Sequence, residues 1–227
     1  MTDATARASA CLMTFNMLPS LTLHPEHAAD LNPPEGLDHP DPEVQKNLHR
    51  RWSARLLAHL DADSAPVTDL SHPALPLALL EPAAMQALVR DLGIALLGAA
   101  LRRIVERRAV LDARASLGLS GMKWALHDAA HLHPGLQDIR VWTLRVHGDS
   151  DAFTNWAGLA DLLGAGLLAQ AWHDAPTSLR RRANWKLPPP SLDAECRSAS
   201  GLTEPAARAL CLQHLTKIDP VWQSSFT

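Results

Sequence analysis

Three observations predict a mainly α fold, a single compact helical domain of about six or seven helices. Apolar residues recur at three- and four-residue spacing over several long stretches, the period that gathers them on one helix face. Those stretches open with helix-start chemistry, as at Asp41-Pro42-Glu43 and Thr203-Glu204-Pro205. Strand-like composition is confined to residues 139–146, with 180–187 reading as extended, which leaves room for one or two short strands. Hydrophobic residues make up 47% of the 227 and charged residues 20%, enough for a sizeable core and unlike a disordered chain.

The front of the chain differs from the rest. Residues 1–45 hold seven acids against one base, and prolines crowd it at 19, 25, 33, 34, 40 and 42. It reads as a short helix or apolar plug (Leu12, Phe15, Met17, Leu18) followed by an acidic strap. Residues 1–40 are therefore expected as an acidic, proline-rich segment packed onto a helical domain spanning 41–227. Asp41 suits the N-cap of the next helix, Pro42 its first turn and Glu43 the positive end of its dipole. Val44, Leu48, Trp52, Leu56 and Leu60 then share one face. Residues 61–80 read as a linker with three prolines. From Glu81-Pro82 a second helix runs toward Arg108, apolar on nearly every side in its middle and so expected at the centre of the domain. Its Gly93 and Gly98 point to close helix contact.

A helix over residues 110–117 is expected to stop near Gly118, with Ser120 starting another through Trp124 to Ala130. Residues 149–172 return to helix on the stripe Phe153, Trp156, Leu159, Leu163, Leu167 and Ala171. The last helix carries Ala207, Leu210, Cys211, Leu215 and Ile218 and ends by Pro220.

Charge and composition narrow the function. There are 21 Lys plus Arg against 24 Asp plus Glu, a formal net charge of -3. A pI of about 6.4 lacks the basicity of a dedicated nucleic-acid binder. The absence of Tyr removes one common general acid. Three cysteines without short paired spacing resemble neither a disulfide framework nor a zinc ribbon. The apolar run at 92–101 is shorter than the roughly 20 residues a bilayer needs. No apolar leader precedes Cys11, so a soluble intracellular protein is expected.

The 12 histidines include one cluster, His127-Asp128-Ala129-Ala130-His131-Leu132-His133. On a helix His127 and His131 lie one turn apart and could share a metal, with His133 or Asp161 as a third ligand. A zincin needs Glu directly after the first His, and Asp128 stands there. The plainer reading is histidines at a helix end, solvated or capping. No nucleophile elbow, phosphate loop or dinucleotide fingerprint occurs, and Cys211 on an apolar stripe reads as core. Three basic clusters remain: Arg50, Arg51 and Arg55; Arg102, Arg103, Arg107 and Arg108; Arg180, Arg181 and Arg182. On helices the first two read as solvated faces; the sharper reading is docking onto an acidic protein surface, and nucleic acid, with a helical DNA-binding regulator as its function, comes third.

The order of several segments carries a resemblance. The run Leu88-Val89-Arg90-Asp91-Leu92-Gly93-Ile94-Ala95-Leu96-Leu97-Gly98-Ala99-Ala100-Leu101-Arg102-Arg103 resembles the central helix of the SctK (YscK-type) proteins of bacterial type III secretion. Trp156 to Leu168, leading to Trp172 and Lys186-Leu187-Pro188, and Ala207-Arg208-Ala209-Leu210-Cys211 with Leu215 and Lys217, follow in the family's order. The similarity covers about residues 85–222 and leaves 1–80 unmatched. It implies a non-enzymatic cytosolic adaptor of the sorting platform, recruited to the inner-membrane face by partners. Those partners are the cytoplasmic domain of an SctD-type ring protein and an SctQ-type pod protein. The resemblance implies no catalytic residue, no cofactor, no nucleic-acid partner and no insertion into the membrane. Partner binding is expected at Arg102, Arg103, Arg107 and Arg108 or at the acidic strap over 26–43. The alternative is a metal-dependent hydrolase using His127 and His131.

Overall fold

The computed structural model describes residues 3–60, 65–132 and 155–226. Eleven α-helices occur among them, and no strand: α1 Asp3–Met17, α2 Pro25–Asp30, α3 Pro42–Ala58, α4 Leu75–Ala78, α5 Pro82–Arg103, α6 Arg107–Lys123, α7 Trp156–Ala171, α8 Thr177–Asn184, α9 Ala194–Ser198, α10 Glu204–Ile218 and α11 Pro220–Ser224. The mainly α class holds. Only seven of these helices have eight residues or more, the other four being short turns of helix. The strand-like residues 139–146 and the helix start over 149–154 lie outside the described residues.

α5 is the centre of the molecule, and every residue from Leu92 to Leu101 is buried. It is long and apolar enough to span a membrane by length and composition, but 72% of its apolar window is buried inside the fold. It crosses α7 with the two backbones in contact. A Cβ built on Gly93 would lie 1.7 Å from the Ala160 carbonyl oxygen, and one on Gly164 would lie 1.9 Å from that of Val89. Small residues are thus required on both sides of the crossing, which explains glycines whose helix propensity is poor. α10 and α9 pack against α7, and the chain after α6 packs against α5.

The helix ends follow their chemistry. Asp41 Oδ1 accepts from the Glu43 amide at 2.9 Å, capping α3 as its sequence predicts. Along that helix Trp52 and Leu56 are buried, with Leu60 just beyond, whereas Val44 near the start is exposed. α5 ends at Arg103 instead of running to Arg108. Ile104 and Glu106 take extended backbone angles and separate it from α6. Two β-branched residues, Ile104 and Val105, stand at that break and lower helix propensity there. In α6 the interruption falls at Gly118 (φ 73°), a left-handed conformation that glycine adopts without a Cβ clash.

Three other segments depart from expectation. Residues 180–187 are not extended: most of them belong to α8, whose Leu179, Arg182 and Ala183 face inward at helical spacing. The 61–80 linker contains α4, and Ala74 to Leu80 are all buried, because an apolar run of that length cannot remain solvated. His127 and His131 do not share an α-helix. Residues Trp124–Asp128 form a π-helical turn and Ala129–His131 a 3-10 turn.

The core joins distant parts of the chain. Trp222 is 1% exposed, and its indole Nε1 donates to the Pro76 carbonyl at 2.9 Å. Trp172 Nε1 donates to Asn184 Oδ1 at 2.8 Å. Arg208 reaches from α10 to Asp174 with two hydrogen bonds, 2.7 and 3.0 Å, and also to the Ala171 carbonyl. α1 buries Ala8 and Phe15 in the same core. Beyond it the acidic segment is tied down by His24 N donating to Trp185 O and by Trp52 Nε1 donating to Leu31 O.

Candidate functional site

The arginine cluster at the α5–α6 connector stands exposed at the surface. α5 ends on Arg102 and Arg103, where positive side chains suit the negative end of the helix dipole. α6 starts on Arg107 and Arg108, so the connector brings all four to one corner of the fold. Arg102 has a structural task as well: its Nη1 donates to Ala125 O at 3.4 Å, tying α5 to the π-helical turn. Arg103, Arg107 and Arg108 are exposed and pair with no carboxylate among the described residues. Val105, between the two pairs, is 95% exposed, and Leu111 one turn into α6 is 53% exposed. An apolar tip ringed by guanidinium groups can bind a partner carrying carboxylates around an apolar spot.

The cluster at Arg180 to Arg182 differs in kind. Arg182 is buried, and its Nη1 donates to Ser178 O at 3.0 Å. Arg180 Nη1 donates to His173 O at 2.8 Å. Arg50, Arg51 and Arg55 are exposed on α3, with Arg55 Nη2 reaching Asn32 O at 3.4 Å. The acidic strap over 26–43 includes α2 and the start of α3, and its carboxylate residues are exposed.

The histidine cluster gains no third ligand among the described residues. His127 and His131 are exposed, and His133 lies outside the described residues. Asp161 points elsewhere, making two 2.5 Å hydrogen bonds with Arg90 across the α5–α7 crossing. No group of three or more His, Cys, Asp or Glu that could hold a metal occurs among the described residues.

Two polar constellations have no sequence signature. Asp91, Trp124 and His214 border a cavity of about 380 Å³ with Arg90 and Ser120. The His214 ring stacks on Trp124 at 4.9 Å, its Nε2 lies 3.2 Å from Asp91 Oδ2, and Trp124 Nε1 donates to Asp91 O. Elsewhere Ser20 Oγ lies 3.0 Å from His49 Nδ1 and 2.8 Å from Ser53 Oγ, joining the 3-10 turn Pro19–Leu21 to α3. Burial pushes the His49 imidazole below its ordinary range. Asp91, Trp124 and His214 are too far apart in sequence for a local motif to reveal them, and Ser20 is about as remote from the His49 and Ser53 pair on α3.

The thiols offer no activated nucleophile. Burial pushes Cys11, Cys196 and Cys211 upward, against formation of the thiolate. Cys211 is fully buried, a core residue as its apolar stripe predicts. Comparisons of the chain with family models, curated proteins and solved structures give no match.

Proposed function

We propose that this chain is a non-enzymatic cytosolic adaptor of a type III secretion sorting platform. It links the cytoplasmic domain of an SctD-type inner-membrane ring protein to an SctQ-type pod protein. The resemblance over residues 85–222 motivates the assignment, and the corner formed by Arg103, Arg107 and Arg108 around exposed Val105 is the observation that carries it. Exposed arginines beside an apolar tip are poor candidates for stabilising the fold and good ones for anchoring a partner. A second contact on another face would make the adaptor bivalent, so that two weak interactions hold together through effective concentration.

The test is a double charge reversal, Arg103→Glu with Arg107→Glu, assayed by pull-down against each partner. Binding to one partner should fall at least tenfold. The melting temperature should move by no more than about 2 °C, because neither side chain pairs with a carboxylate among the described residues. Undiminished binding to both partners would exclude the corner as a docking surface. If neither partner binds the wild-type chain, the adaptor assignment itself falls.

A further inference from the structure

Lys186 follows α8, just before Pro188, at a point where α1, α4 and the start of α5 converge. It is 7% exposed. Its Nζ donates to the Ala78 carbonyl at 2.8 Å and to the Leu80 carbonyl, and lies 5.8 Å from the centre of the Phe15 ring. No carboxylate lies within ion-pair distance of it among the described residues. Two carbonyls satisfy the two N–H bonds of a neutral amine and leave its lone pair free. The third N–H of an ammonium has no oxygen acceptor among the described residues. Burial accordingly brings the group down to about 7, against weaker upward pulls from Cys11 and Glu81.

Two grooves meet at this residue. One, of about 390 Å³, has Leu23, Met85, Val89 and Pro188 among its walls. The other, of about 260 Å³, is bordered by Arg7, Cys11, Phe15, Leu80 and Glu81 as well as Lys186. Phe15 and Leu80 are the amine's own neighbours, so the amine borders this second groove. A buried amine held by two carbonyls, with no carboxylate in ion-pair distance among the described residues and a groove beside it walled by Phe15, Leu21, Leu80 and Pro82, has the features of a covalent carbonyl-binding lysine.

We propose that Lys186 is a covalent binding site for small apolar aldehydes, which it holds as a Schiff base in the groove beneath α1. The amine lone pair attacks the carbonyl carbon and forms a C–N bond. The carbonyl oxygen then leaves as water with both amine hydrogens, and C=N replaces C=O. No oxidant or reductant takes part. A proton taken from solvent by the imine restores one N–H for the Ala78 or Leu80 carbonyl, and both oxygens face the resulting positive charge. The titratable groups that line the two grooves with Lys186 are Arg7 and Cys11 of α1, His24, Glu81 ahead of α5 and Asp161 of α7, while α4 carries none. This site is independent of the arginine corner and of the adaptor assignment.

The experiment uses the full chain with hexanal as the probe, reduction by cyanoborohydride at pH 7.5, and peptide mapping of all four lysines, Lys46, Lys123, Lys186 and Lys217. Lys186 should be alkylated at least tenfold faster than any of the other three, which are all exposed. A purely structural tie between two carbonyls makes the opposite prediction, since the most buried amine is then the slowest. Labelling spread over Lys46, Lys123 and Lys217 with Lys186 unmodified would overturn the proposal. Lys186→Met should abolish the fast adduct, and if that variant does not fold, the wild-type map decides alone.

Discussion

Replacing Gly93 by Ala tests the backbone contact between α5 and α7 directly. The new methyl carbon would stand 1.7 Å from the Ala160 carbonyl oxygen, where ordinary contact starts at 3.4 Å. The obstacle is a backbone atom in the middle of a helix, so no rotamer change relieves the clash and the helices must separate. A gap of 1 Å already forfeits up to about half of each dispersion contact along such an interface. Over-packing of this kind costs about 1–3 kcal/mol, sometimes more, and Ala recovers about 1 kcal/mol of helix propensity. With no flexible neighbour to yield, the upper end of the cost applies and the expected net loss is about 2 kcal/mol, or a melting temperature lower by about 4–8 °C for a chain of this length.

Circular dichroism at 222 nm during thermal and urea unfolding measures both quantities. Gly164→Ala, aimed at the Val89 carbonyl from the other helix, should cost a similar amount. The double variant should cost less than the two singles added, because one separation of the helices relieves both clashes. Gly121→Ala is the control: its Cβ meets Ile94 Cδ1, the free end of a side chain, and Leu117 Cβ of the same helix, both at 3.3 Å, so a shift of a few tenths of an ångström suffices. It should stay within about 1 kcal/mol of wild type. An unchanged or raised stability in Gly93→Ala would refute backbone contact at this crossing.

Lys186 also predicts a pH dependence. In the unfolded chain its amine takes the ordinary value near 10.4, whereas in the fold it lies at about 7. Between these limits the unfolded state binds the extra proton, so stability rises with pH by up to about 1.4 kcal/mol per unit and is flat below about 7. The thiols pull the other way above their ordinary value of 9.0, having been raised by burial, so pH 7 to 9 is the clean window. Lys186→Met should flatten the urea midpoint against pH across that window, and a slope retained by the variant would place its origin elsewhere. Trp222→Ala should cost about 3–5 kcal/mol by chemical denaturation, a full cavity under α4. Trp222→Phe should recover most of that while leaving the Pro76 carbonyl without its donor. Equal losses in the two variants would show that ring volume is not what Trp222 contributes.

Local chemistry was legible wherever a helix begins or carries a continuous stripe. The Asp41 cap, the buried middle of α5, the break near Gly118 and the extent of α10 follow from residues within one or two turns of each other. The errors arose where neighbours far along the chain decide. α8 is not legible because its inward residues include Arg182, whose charge masks the helical stripe and which only the packed fold buries. α4 was hidden in a proline-rich stretch whose apolar run is covered by Trp222 and α10. The histidine pair was legible as a spacing, but a change of helical period between residues 124 and 131 removed the face that spacing assumed.

The sequence by itself determined that this protein is helical, where its long helices lie, and that α5 belongs in the middle, because apolar period, capping and propensity act over a few residues. Tertiary structure alone decided which charges are spent and which remain available. Arg90, Arg182 and Arg208 are consumed inside the fold, whereas Arg103, Arg107 and Arg108 stand free of carboxylates among the described residues. It alone placed Lys186 between two carbonyls more than 100 residues away. The physical reason is the same in each case: a side chain's charge state and availability depend on desolvation and on partners, and folding brings those from distant parts of the chain.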